Sequence, residues 1–322
     1  MAQAVTVYRW DDAGAPQVVD GKPSEYMNVF KKCLVEGYGS KQPTGWTIAE
    51  ESQPEETPYL AVKNDAGTGS GGVMTFSASN DNANTTVRCQ TALDYLGKDS
   101  SSRLGSYFAF GSASTSASTK VRNWMIIATN TACYIFGYSD NKATENNFGT
   151  YTGLLLFFGD IKSAYPNDAA IFVSLYGSHN STTFSWNSGF HYVLGSSTDS
   201  KVGIVYALDG SENFSDSYIS TFFSSFSSSS SSTLADQEPS IRIMSPVAIV
   251  SGNASVGSSG TRSNSLTDPY FRGLVPGLFV SQEIGFKNKN MPFINQIDGQ
   301  SYFYVPSAQT NQSRAWINIE EW

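Results

Sequence analysis

The sequence has 322 residues, 40% hydrophobic and 13% aromatic, which is material for a sizeable core in one large or two ordinary domains and excludes wholesale disorder. Only 15% of residues are charged, and 20 Lys plus Arg against 28 Asp plus Glu leave a net charge of −8 with no basic cluster, so nucleic-acid binding driven by counterion release has no source. No apolar run approaches the roughly 20 residues that span a bilayer, and MAQAVTVYRW lacks the basic head and apolar stretch of a signal peptide, so no membrane contact is expected and synthesis and folding are expected in a cytoplasm.

Taken in chain order, VTVYRW (Val5 to Trp10) alternates like a short strand and DDAGAP (Asp11 to Pro16) supplies its turn. The segment PSEYMNVFKKCLVEGYG places Tyr26, Val29, Phe30, Cys33 and Leu34 at i, i+3, i+4, i+7 and i+8, which predicts a helix with one apolar face. Ser24 is the expected cap of its first turn and Gly37 the residue that closes its last. Lys31 and Lys32 fall off the apolar face and are expected in solvent.

A polar stretch containing Pro54 and Pro58 follows. YLAVKND and VMTFSAS then read as two strands joined by GTGSGG (Gly67 to Gly72), which leads into a strand rather than a helix and so reads as a hairpin connection, not a phosphate loop. SYFAFGSAS, NWMIIATNTACYIFGYSD, GLLLFFGDI, AAIFVSLYGS, FHYVLG and KVGIVYALDG continue as short aromatic and β-branched runs bounded by Gly, Asn and Asp. FFSSFSSSSSST, with unbroken Ser227 to Ser232, offers almost no apolar surface and reads as an exposed loop or linker. SIRIMSPVAIVSG, DPYFRGLVPGLF, DGQSYFYVPS and SRAWINIEEW complete the pattern.

The predicted fold is therefore mainly β, a sandwich or barrel-like core with one short N-terminal helix and long Ser/Gly-rich loops. Its expected divisions are a strand–helix segment packed on the core (1–57), a main β domain (58–222), a Ser-rich loop or linker (223–240), and a C-terminal β segment (241–322) that either completes the same domain or stands as a second.

Sites of chemistry are sparse. Cys33, Cys89 and Cys133 are an odd set without CxxC spacing, so neither a disulfide framework nor a metal cluster is indicated. His179 and His191 are the only histidines. Asp160 and Asp168 flank a Pro-containing loop and have either the makings of a glycosidase pair or the commoner role of loop caps. Trp186 and Tyr192, beside His191, either stack on a sugar or lie inside a sheet. Phe222, Phe223 and Phe226 pin the serine segment to the core or to a partner subunit. Trp316, Ile317, Ile319 and Trp322 form an apolar segment that docks either in its own sheet or against a neighbouring subunit. No catalytic residue, cofactor or metal ligand is assigned.

The motifs together resemble a family of virion structural proteins of tailed bacteriophages. The likeness rests on VTVYRWDDAGAP with its DAGAP turn, on the helix end CLVEGYG and the following GW, and on NWMIIATNTACYIF. It continues through FFGDIKSAYPNDAAIFVSLYG, DPYFRGLVPGLF and DGQSYFYVPS, in the same order over most of the chain. The polyserine segment departs from the pattern. The resemblance implies a non-enzymatic virion component that assembles with capsid, neck or tail subunits and with copies of itself. An appendage protein that binds a receptor or a glycan is the alternative.

Overall fold

The computed structural model describes residues 2–54, 56–98, 100–111, 120–138, 153–176, 201–221, 243–252, 269–281, 289, 291–305 and 314–322. In chain order the elements are β1 (Thr6–Arg9), α1 (Pro23–Lys31) with a final π-helical turn (Lys32–Glu36), β2 (Thr47–Glu51), β3 (Tyr59–Lys63), β4 (Val73–Ser77), β5 (Val87–Asp94) and β6 (Ser102–Phe110). They continue as β7 (Asn123–Ala128), β8 (Ala132–Tyr138), β9 (Gly153–Asp160), β10 (Lys162–Ser163), β11 (Phe172–Leu175), β12 (Gly203–Tyr206) and β13 (Phe214–Ser220). β14 (Met244–Ser251), β15 (Phe271–Ser281), β16 (Ile294–Ile297), β17 (Gln300–Val305) and β18 (Arg314–Asn318) follow.

The strands make three antiparallel sheets, so the chain is mainly β with one N-terminal helix. The N-terminal sheet has the order β2-β3-β4-β5-β6, the central sheet β1-β7-β8-β9-β11, and the C-terminal sheet β12-β13-β14-β15-β18-β17-β16, with β10 paired to β15. β13 and β14, which precede and follow residues 222–242, pair directly, Tyr218 opposite Val250.

Strand parity explains why the sheets stack. Successive side chains of a strand point to opposite faces, and in the central sheet both sets are apolar. Met125, Ile127, Tyr134, Phe136, Leu155 and Phe157 share one core with Val275, Leu278, Phe303 and Ile317 of the C-terminal sheet. Trp124, Ile126, Cys133, Ile135, Leu156 and Phe158 share the other with the helix and with Leu60, Met74, Phe76 and Phe108 of the N-terminal sheet. All seven residues of β8 are buried. The register, Ile126 opposite Ile135 and Ile127 opposite Tyr134, is fixed by this double burial, because a slip by one residue exchanges the two faces. Edge-to-face rings tie the layers together: Phe136 with Phe303 at 5.1 Å and Trp46 with Phe158 at 5.5 Å between centroids.

The helix buries the predicted face, Tyr26, Val29, Phe30, Cys33 and Leu34 all being at most 2% exposed. Phe30 stacks on Phe76 at 4.2 Å. Its start differs from the expected one. Lys22 is the cap and Pro23 the first helical residue, a position where proline's missing N–H costs nothing. Ser24 instead lies inside the first turn and gives its N–H (2.8 Å) and hydroxyl (2.7 Å) to the carboxylate of Asp81 in the β4–β5 loop. The Glu25 carboxylate folds back to accept the N–H groups of Gly21 (2.6 Å) and Lys22 (2.9 Å). At the other end Gly37, at φ 79°, donates its N–H to the Lys32 carbonyl and closes the π turn. Lys31 pairs with Glu51 at 2.7 Å and Lys32 with Glu36.

GTGSGG connects β3 to β4, which pair from Lys63 opposite Val73 to Tyr59 opposite Ser77. Five strands fall where none was read: β2 within the polar stretch, the alternating segments β5 and β13, and the short β10 and β16. The predicted strand FHYVLG and the serine segment lie outside the described residues. Among the described residues, no helix is long and apolar enough to cross a membrane.

Candidate functional site

The acids singled out in the sequence serve as joints. Asp160, at the end of β9, is 7% exposed and accepts the N–H (2.8 Å) and the hydroxyl of Ser70 in the Gly-rich loop. Burial pushes its carboxyl up from the ordinary carboxylate value, against the pull of the Ser70 hydrogen bonds. The loop fits closely: a Cβ on Gly69 would stand 2.6 Å from the Asp160 carboxylate and from Thr131. The joint thus holds the N-terminal sheet's β3–β4 hairpin on the central sheet.

Asp168 follows β10 and makes a second joint. Its two oxygens each lie 3.0 Å from Nη2 of Arg272 in β15, and both side chains are fully buried. Asp168 also accepts the Ser163 hydroxyl (2.8 Å) and the Ala170 N–H (2.9 Å), and Arg272 donates to the Tyr206 carbonyl. The pair ties the 161–170 connection to two strands of the C-terminal sheet. Asp160 and Asp168 therefore address different sheets, each already carrying its own donors, and do not form a paired acid and base.

The apolar segment after β17 is placed in the chain's own sheet. Trp316 and Ile317 are fully buried in β18, and Trp316 Nε1 donates to Ser281 Oγ at 2.9 Å. Ile319 packs, half-buried, on the same core. Trp322 is 6% exposed, donates Nε1–H to the Asn318 carbonyl (2.7 Å), and sits edge-on to Tyr134 at 5.3 Å. Its backbone exchanges two hydrogen bonds with Gln3 (2.9 and 3.0 Å). Gly277, at φ 66°, lies directly beneath the Trp322 indole, where any Cβ would collide with the ring. Within the chain, Trp316, Ile317 and Trp322 are thus buried in its own sheets, while Ile319 keeps part of its surface open. Phe222, Phe223, Phe226, Trp186 and Tyr192, with both histidines, lie outside the described residues.

Two joints were not read from the sequence. Gly39 in the turn after the helix packs on the Ala13 carbonyl of the DAGAP turn without room for a Cβ. Trp46, 2% exposed, spans from the end of the helix to the central sheet and donates Nε1–H to the Thr129 carbonyl at 2.9 Å. Their signal was present in the GYG and GW elements, but the partners lie far along the chain.

The three thiols are withdrawn from solvent. Cys33, Cys89 and Cys133 are free and buried, and burial raises all three thiols well above the ordinary value. Among the described residues, no three His, Cys, Asp or Glu side chains come together as a metal set. A cleft of about 200 Å³ opens beside Gln3, Thr131, Asp160 and Trp322, but Thr131 Oγ1 is spent on Gln3 Oε1 at 2.8 Å and Asp160 on Ser70. The outer face of the N-terminal sheet carries a larger trough, about 330 Å³, between β3–β6 and the 95–101 connection. No protein-family model and no curated protein sequence matches this chain.

Proposed function

We propose that this protein is a structural component of a tailed-bacteriophage virion, acting by assembly with copies of itself and with capsid, neck or tail subunits. It works by binding and shape, with no reaction of its own. The reading starts from the ordered resemblance of five sequence elements. One observation supports it most: residues of those elements form long-range contacts that hold turns, connections and sheets together. Gly39 of GYG packs on the DAGAP turn. Trp46 of GW reaches the central sheet. Asp160 of FGD holds the Gly-rich loop. Asp168 of DAA and Arg272 of RG make the buried pair, and Gly277 of PGL seats Trp322.

In an enzyme, the distinctive residues converge on a pocket where nucleophile, base and polarising donors meet. Here they are dispersed over contacts that fix turns and sheets, which is where a subunit needs them if its task is to hold a shape under load from symmetric neighbours. Mass spectrometry of gradient-purified virions tests the proposal: the protein is expected among the particle proteins in a fixed ratio to the capsid protein. Abundance in infected cells with absence from particles overturns it.

A further inference from the structure

We propose that the outer face of the N-terminal sheet binds an acidic saccharide, its carboxylate or sulfate held between Arg88 and Lys98. The inference does not depend on the virion reading. The trough has a volume of about 330 Å³, within the range of small-ligand sites. Thr75 and Ser77 of β4, Arg88 and Gln90 of β5, and Lys98 and Ser101 of the β5–β6 connection line it.

The two cations are organised by rings and not by counter-ions. The Arg88 guanidinium lies 4.2 Å from the centroid of the Tyr107 ring, with one Nη donating to Gln90 Oε1 at 3.0 Å. Lys98 Nζ lies 5.2 Å from the centroid of the Tyr59 ring. Tyr59 is itself held, its hydroxyl 2.9 Å from that of Tyr95, which donates to Glu50 at 2.6 Å; the same carboxylate oxygen accepts the Lys98 N–H. Neighbouring bases are matched by acids, Lys31 by Glu51 and Arg103 by Asp94. Arg88 and Lys98 have no carboxylate at ion-pair distance among the described residues. In a chain of net charge −8, two cations lining one trough whose lining holds no acid leave an oxyanion as the complementary partner.

The rest of the lining chooses the body that carries the anion. Thr75 Oγ1 and Ser101 Oγ already donate to the Gln90 and Gly97 carbonyls, and Gln90 Nε2 to the Gly105 carbonyl. Beside the Ser77 hydroxyl, these groups therefore meet the trough chiefly as acceptors for sugar hydroxyls, whereas Leu104, 38% exposed, and the Tyr59 ring are the apolar contribution. A protein partner needs buried aromatic or aliphatic anchors. A saccharide needs a row of hydrogen-bonding groups, which is what the trough offers.

Calorimetric titration of the full chain tests this with three probes: a hexuronate oligosaccharide, a sulfated disaccharide, and the neutral oligosaccharide of the same length, with inorganic sulfate as the bare anion. At least one acidic saccharide is expected to bind, more tightly than inorganic sulfate and more tightly than the neutral sugar, and binding is expected to weaken as salt is raised. Each of Arg88→Gln and Lys98→Gln should weaken it about tenfold, the loss of one charge-assisted hydrogen bond. Both side chains are exposed, so the melting temperature of the double variant is expected to match that of the parent. No binding by either acidic saccharide, equal binding by the neutral sugar or by inorganic sulfate, or unchanged binding in the folded double variant overturns the proposal.

Discussion

The central sheet and the N-terminal sheet are built from the same antiparallel pairing yet differ in how many faces they cover. In β8, ACYIFGY, every residue is buried. In β5, VRCQTALD, Val87 and Cys89 are fully buried while Arg88 between them is exposed. A strand covered on both faces is written as an unbroken apolar run and a strand covered on one face as an alternation. The low charge of the whole chain follows in part from this: β7 and β8 together contain no charged residue. It therefore reports an internal layer as well as any surface given to neighbours.

The comparison is broken most severely at the joints of the C-terminal sheet. Arg272→Leu strands Asp168 as a buried uncompensated charge and is expected to cost about 3–5 kcal/mol, whereas Arg103→Gln, which parts the half-exposed pair with Asp94, costs under about 1 kcal/mol. Urea unfolding of the two variants measures the contrast, and equal losses would refute it. Within the layers, Ile135→Ala in the central sheet is expected to lose about 2–5 kcal/mol through its cavity. Ile48→Ala on β2, 37% exposed, should stay within about 0.5 kcal/mol.

Gly277→Ala sharpens the comparison at a single contact. It forces a side chain into the Trp322 ring at a positive φ, with an expected loss of about 1–3 kcal/mol and a change in tryptophan fluorescence; unaltered stability and emission would show that the indole is not seated there. The smallest effect is in pH dependence. The folded state raises the Asp160 carboxyl above its unfolded value, so the folded chain holds this proton more tightly. Relative to Asp160→Asn, the parent is favoured at low pH, and that advantage is lost as pH rises from the ordinary carboxylate value through the raised folded one. Paired denaturation curves across this window check the sign, and a parent that gains on the variant as pH rises contradicts it.

What the sequence disclosed follows the same division. The helix face and the β7–β8 pair were legible because burial imposes a strong period or an unbroken apolar run. β2, β5 and β13 were missed because strands with a polar face carry few apolar residues, TIAEE in β2 being almost wholly exposed, and β10 and β16 because two and four residues are too few to show a period. The stacking order was not legible, since continuous runs state that both faces are covered but not by what. Asp160 and Asp168 were noticed, yet their partners Ser70 and Arg272 stand 90 and 104 residues away. No local spacing reveals such pairs. Ser24 was misassigned because Pro23 starts the helix two residues earlier than a Ser24 cap implies and a distant carboxylate, Asp81, takes its N–H and hydroxyl.

The central claim is that these joints serve a subunit of a phage particle. Image reconstruction of intact virions, with the protein marked by a gold-labelled antibody, tests it most directly. The account predicts label at symmetry-related positions on the head, neck or tail, with density that fits the stack of three sheets. Particles that carry no label, beside infected cells that contain the protein free, would contradict it.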